Sequence, residues 1–88
     1  MYKIAALSRA EIIILLSILD KGNIMISDVV GGRMRMSNTT VYRALRTLES
    51  LGLLETEKTK DVPPRKRIRL TEKGMKVATL LKRIEETL

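Results

Sequence analysis

SNTTVYRALRTLESLGLL, running from Ser37 to Leu54, is the stretch that decides the fold. Ser37 is a residue of the type that caps helix N-termini, because its hydroxyl can take an otherwise unpaired backbone N–H. Behind it Val41, Leu45, Leu48 and Leu51 recur at spacings of four, three and three. That spacing puts them on one helical face, to be buried. Gly52 supplies the stop. The opposite face carries Asn38, Thr39, Thr40, Tyr42, Arg43, Arg46 and Thr47. The pattern predicts a helix over 37–51 whose outer face is polar and cationic.

Downstream, Leu53 to Lys58 reads as a strand and Thr59 to Pro64 as a loop stiffened by two prolines. Arg65 to Leu70 alternates, with Lys66, Ile68 and Leu70 on one side and Arg65, Arg67 and Arg69 on the other. Two strands around a short loop predict a hairpin over 53–70. Thr71 then caps a last helix, 71–88, with Gly74 tolerated in its first turn. Val77, Leu81, Ile84 and Leu88 follow at spacings of four, three and four, a heptad-like seam. The seam suits contact with the first helix of the same chain and with the last helix of a second copy; it also suits packing inside one subunit alone.

Upstream, Ser8 and Glu11 have the spacing of a capping box. The helix they open carries Ile12, Ile13, Ile14, Leu15, Leu16, Ile18 and Leu19 and stops at Lys21-Gly22. Its apolar residues cover more than one stripe. That fits a central core helix, and it fits a helix with one side against a second subunit. Ile24 to Ile26 is a short extended stretch. Ser27 can cap a short helix holding Asp28, Val29 and Val30, which Gly31-Gly32 weakens. Arg33 to Met36 either resumes the helix or turns. The expected class is mainly α with a small β-hairpin (α+β), in the order helix, strand, helix, helix, strand, strand, helix, as one domain over 1–88.

Composition narrows the function. A chain of 88 residues has a thin core. Cysteine and histidine are absent, which removes disulfides, thiolate chemistry and the usual zinc sites. Oligomerisation is the remaining support. The formal net charge of +7 favours an anionic partner, nucleic acid before a membrane surface. The span Arg33 to Thr47 holds four arginines and no acid, and Lys58 to Leu70 holds six cationic residues against one acid. The longest apolar run, Ile12 to Leu16, is too short to span a bilayer, and no signal-peptide pattern surrounds it. A cytoplasmic location is therefore expected. Absent glutamine and plentiful Ile, Leu, Lys, Arg and Glu lean towards a thermophile.

The run Ser37 to Leu54, together with Arg67-Ile68-Arg69-Leu70-Thr71-Glu72-Lys73-Gly74, resembles the recognition helix, its exit and the wing of winged helix-turn-helix regulators of the MarR and PadR type. The resemblance implies a transcriptional regulator that binds double-stranded DNA as a homodimer, with 37–51 in the major groove and 53–70 as the wing. Residues near the start of a recognition helix approach the bases most closely. Those are Asn38, Thr39, Thr40, Tyr42 and Arg43. Asn38 suits adenine and Arg43 suits guanine. Arg33, Arg35 and Arg46, with the wing residues Lys58, Lys60, Arg65, Lys66, Arg67 and Arg69, suit the phosphate backbone. Val77, Leu81, Ile84 and Leu88 are the expected dimer contacts, and twofold symmetry implies an inverted-repeat site. Repression is the default for a compact binder with no activation segment.

Competing classes fare worse. Without histidine or cysteine the common catalytic bases and nucleophiles are missing, and no P-loop motif occurs, so an enzyme is not expected. No cofactor and no metal is expected. A winged helix that binds protein rather than DNA is the main alternative, since an arginine-bearing helix face is also an ordinary solvated surface. An RNA-binding winged helix is another, disfavoured by an aromatic content of two tyrosines. A membrane-surface role lacks the basic amphipathic helix with aromatic anchors.

Overall fold

In the computed structural model, residues 2–30 and 35–88 are described. After a 3-10 turn, Lys3–Ala6, come helix α1 (Arg9–Lys21), strand β1 (Asn23–Met25), a second 3-10 turn (Ile26–Asp28), helix α2 (Asn38–Ser50), strands β2 (Leu54–Lys58) and β3 (Lys66–Leu70), and helix α3 (Glu72–Thr87). The chain is α+β, and its hairpin is widened into a three-stranded antiparallel sheet of order β1-β3-β2. The register pairs Ile24 with Ile68, Leu54 with Leu70 and Thr56 with Ile68.

The core forms where α1 meets the other elements. Ile14, Leu15 and Ile18 of α1 are fully buried with Val29, Val41, Leu48 and Ile68. Burying each Ile or Leu side chain is worth about 1.5–3 kcal/mol. Ile13 and Leu19 pack against this cluster from the flank. The broad apolar surface of α1 is thus largely that of a central helix. No helix among the described residues is long and apolar enough to cross a membrane.

Three local expectations are corrected. Ser8 stands at the N-cap of α1, yet its side chain makes no capping bond to the backbone. Its hydroxyl instead donates to the Glu11 carboxylate at 2.6 Å. The helix expected after Ser27 is the single 3-10 turn Ile26–Asp28, closed by Asp28, whose carboxylate accepts from the Met25 N–H at 3.0 Å. Ser27 is inside that turn, not before it. Gly74, expected only to be tolerated, is buried against Leu53, and a Cβ there would collide with the Leu53 carbonyl oxygen. Gly31, Gly32, Arg33 and Met34 lie outside the described residues.

Candidate nucleic-acid interface

Helix α2 is built as its sequence dictates. The Ser37 side chain accepts from the Thr40 N–H at 3.2 Å, and its hydroxyl donates to Thr40 Oγ1 at 2.9 Å. Val41, Ala44, Leu45 and Leu48 face inward. Asn38, Thr39, Thr40, Tyr42, Arg43 and Arg46 are exposed. Immediately upstream, Arg35 is exposed with a left-handed backbone (φ 57), while Met36 is buried. The expected base-reading residues are thereby brought onto one outward surface. Thr40 shares its hydroxyl with the cap.

The hairpin sorts its cations by face. Antiparallel partners share a face, and successive residues alternate. Lys66, Ile68 and Leu70 therefore lie with Lys58, Thr56 and Leu54 on the side of the core and α2. Thr56 fixes that side, donating from Oγ1 to Glu49 Oε1 of α2 at 2.7 Å. Arg67 and Arg69 lie on the outer face with Glu57 and Glu55. There Arg67 pairs with Glu57 at 3.4 Å and Arg69 with Glu55 at 2.9 Å. At the tip Arg65 pairs with Asp61 at 3.0 Å. Hydrogen bonding from Thr59, then Arg65, holds the Asp61 carboxyl below the usual carboxylate range. Lys58, Lys60 and Lys66 have no ion pair to a described residue. The wing's uncompensated charge is thus carried by lysines, not by arginines.

Tyr42 links the two parts. A hollow of about 320 Å³ is lined by Tyr42 of α2, Arg65 and Lys66 of the hairpin, and Met25, Ile26, Ser27 and Val30. A smaller one brings Tyr42 and Arg46 beside Lys66 and Thr56. The outer face of α2 and the inner face of the wing therefore form one continuous surface. Arg43 and Arg46 make no ion pair with any described residue, so their charge is available to a ligand.

Sequence reasoning missed the cross-strand pairs. The signal was present as glutamates at 55 and 57 and arginines at 67 and 69, both with strand period, but it needs the register to be read. Of the expected dimer residues, Val77 and Leu81 pack partly against their own core, whereas Ile84 and Leu88 are 54% and 96% exposed. Met75 and Leu80, which the spacing did not select, are exposed beside them. At the opposite edge of α3, Lys82 donates to Asp20 of α1 at 2.9 Å. That hydrogen bond and the charge of Asp20 raise the Lys82 pKa. No group of three or more acidic or other metal-ligating side chains gathers among the described residues.

Helix α2 against α1, an antiparallel hairpin beside it and a closing α3 define a winged helix-turn-helix protein. The chain belongs to the transcriptional regulator PadR-like family, whose family model matches residues 16–80. No curated protein matches it. Among solved structures it is similar to a transcriptional regulator homologue from Pyrococcus horikoshii OT3, with TM-score 0.78 and 20% identity over 94% of this chain and 83% of that one. It is also similar to ytfH, a proposed transcriptional regulator of Salmonella typhimurium, with TM-score 0.77 and 26% identity over 94% and 74% of the two chains. A SlyA-like transcription regulator from Listeria monocytogenes matches at TM-score 0.77 and 26% identity, over 93% of this chain and 54% of that longer one. The family and these neighbours are transcriptional regulators, not enzymes.

Proposed function

We propose that this protein binds double-stranded DNA sequence-specifically, as a homodimer, and represses transcription from an inverted-repeat site. The N-terminal half of α2 enters the major groove, where Asn38, Thr39, Thr40, Tyr42 and Arg43 read base edges. Arg46, Lys58, Lys60 and Lys66 hold phosphates, with Arg35 beside the helix start. The shared hollow of Tyr42 and Lys66 carries this reading, because it makes the reading helix and the wing parts of one cationic surface. Support also comes from Arg43, Arg46, Lys58 and Lys66, none of which pairs with an acid among the described residues, whereas Arg65 is held by Asp61. For the dimer, the support is the apolar row Leu80, Ile84 and Leu88 on α3, exposed at helical spacing. Twofold pairing would set two α2 helices about 34–36 Å apart on one face of DNA.

The test is a salt titration of duplex binding. Each neutralised phosphate contributes about −0.9 to the slope of log affinity against log salt. Arg43, Arg46, Lys58, Lys60 and Lys66 together predict a slope of about −4 to −5 per subunit if all meet phosphate, and nearer −3 to −4 if Arg43 reads a base. Absence of binding to random duplex at about 50 mM salt, where nonspecific association is strong, would refute the proposal.

A further inference from the structure

The structure assigns Lys73, together with Thr71 and Gly74, as positioning residues that set the angle of the reading helix. The inference rests on the DNA-binding reading and concerns residues far from its proposed contacts. Helix α2 ends in a left-handed Gly52 (φ 75), with Gly52 N–H bonded to the Glu49 carbonyl at 2.9 Å and Leu53 N–H to the Leu48 carbonyl at 3.0 Å. This is a Schellman closure. The closure leaves the carbonyls of Leu51, Gly52 and Leu53 to find other donors. All three are taken by the start of α3. Lys73 Nζ donates to the Leu51 oxygen at 2.8 Å, Thr71 Oγ1 to the Gly52 oxygen at 2.6 Å, and Thr71 N–H to the Leu53 oxygen at 3.1 Å. Gly74 completes the clamp, since any side chain there would strike the Leu53 carbonyl.

The clamp grips one end of a lever. Helix α2 has 13 residues, so its first residue stands about 18 Å from its last along the axis. A tilt of about 5° at the clamp would carry Asn38 about 1.6 Å sideways. Hydrogen bonds tolerate a spread of only about 0.5 Å in length. Towards its other end α2 is seated by its Ser37 cap and by the buried Met36, Val41, Ala44 and Leu45, so a shift at Leu51–Leu53 tilts the helix about that packing and moves the base-reading residues with it. Charge-assisted bonds such as that from Lys73 are the stiffer kind.

The experiment compares Lys73→Met, which removes the donor and keeps the length of the side chain, with Lys73→Arg, which keeps a donor. Affinity is measured for the tightest duplex selected from a random pool and for random duplex, at a temperature where each variant is folded. Lys73→Met is expected to lower the ratio of the two affinities about tenfold, the effect of losing one base contact, while random-duplex affinity changes less than about twofold. Lys73→Arg is expected to restore the ratio. A merely structural lysine would lower the melting temperature and leave the ratio alone, and that result overturns the inference. Gly74→Ala should lower the ratio further where it folds. A wild-type protein with no preference among duplexes would instead overturn the DNA-binding reading, and this inference with it.

Discussion

Lys58 of β2 lies directly across the sheet from Lys66 of β3. Like charges at facing positions destabilise a strand pair by about 0.2–1 kcal/mol. Neither lysine has an acidic partner among the described residues, whereas the next facing charged pairs on the other side of the sheet, Glu57 with Arg67 and Glu55 with Arg69, are compensated. The repulsion is local and would be relieved by a bound polyanion. Lys66→Gln should therefore raise the melting temperature of the free protein by up to about 5 °C. The same change should weaken duplex binding and reduce the salt slope by about 0.9 per subunit. A thermal melt and a salt titration check both halves; a less stable variant with an unchanged slope would contradict the assignment.

The two faces of the wing give a sharper contrast. Lys58→Ala with Lys66→Ala removes unpaired cations on the α2 side. Arg67→Ala with Arg69→Ala removes an equal number of cations that are turned outward and held by glutamates at exposed sites, where such pairs contribute about 0–1 kcal/mol to stability. The lysine pair should cost at least tenfold in affinity for random duplex at about 50 mM salt, the arginine pair less than about threefold. Equal losses would mean that both faces of the sheet meet DNA.

Much of this arrangement was legible in the sequence because its parts are local. The face of α2 follows from the spacing of Val41, Leu45 and Leu48, and Ser37 does cap the helix. The hairpin follows from the alternation of Arg65 to Leu70 and from the turn signals that bound the less regular run Leu53 to Lys58. What remained hidden depends on register and close approach. Nothing local in β1 announces that Ile24 pairs with Ile68, and nothing around Gly74 announces the Leu53 carbonyl above it. Ser8 and Glu11 show the limit of a short motif, for the spacing of a capping box was met by a hydroxyl donating to the carboxylate itself. The seam on α3 was half legible, since period alone cannot say which of two adjacent stripes the core of the same chain will take.

Leu48 of α2 is fully buried in the core cluster. Leu48→Ala should cost about 2–5 kcal/mol, the range for a truncated core leucine whose cavity does not collapse. Denaturant unfolding measures it. A loss under about 1 kcal/mol would show that this end of α2 is loosely packed, and the lever described above would lose its fulcrum.

At the wing tip, Asp61 binds Arg65 and is held in its charged form by Thr59 and that arginine. Its folded pKa is below the unfolded value, so its contribution to loop order is present above the unfolded pKa and is lost as pH falls through the lower folded one. Thr59→Val should raise the Asp61 midpoint in an NMR titration, at least as far as Arg65→Ala does. Lys82 has the opposite sign. Its pKa is raised by Asp20, so that contact is complete below the unfolded lysine pKa and fades as pH climbs through the folded one. An Asp61 midpoint unmoved by either substitution would mean that the tip is not organised by these contacts.

The apolar row Leu80, Ile84 and Leu88 is exposed on α3, and the proposed dimer would cover it. A second copy offers the same row, and a twofold axis lets Leu80, Ile84 and Leu88 meet their own symmetry mates. Val77 and Leu81, which lean on the core, would then brace the row from behind. Light scattering at micromolar concentration should report twice the 10.0 kDa of one chain. Leu80→Glu with Ile84→Glu should return a monomer that stays folded, because neither residue is part of the buried core. That monomer should keep its weak affinity for random duplex and lose most of its preference for an inverted repeat, since one α2 reads only one half-site. A dimer that survives both glutamates would place the subunit contact elsewhere, with the N-terminal turn, where Tyr2 and Ile4 are exposed, as a further candidate.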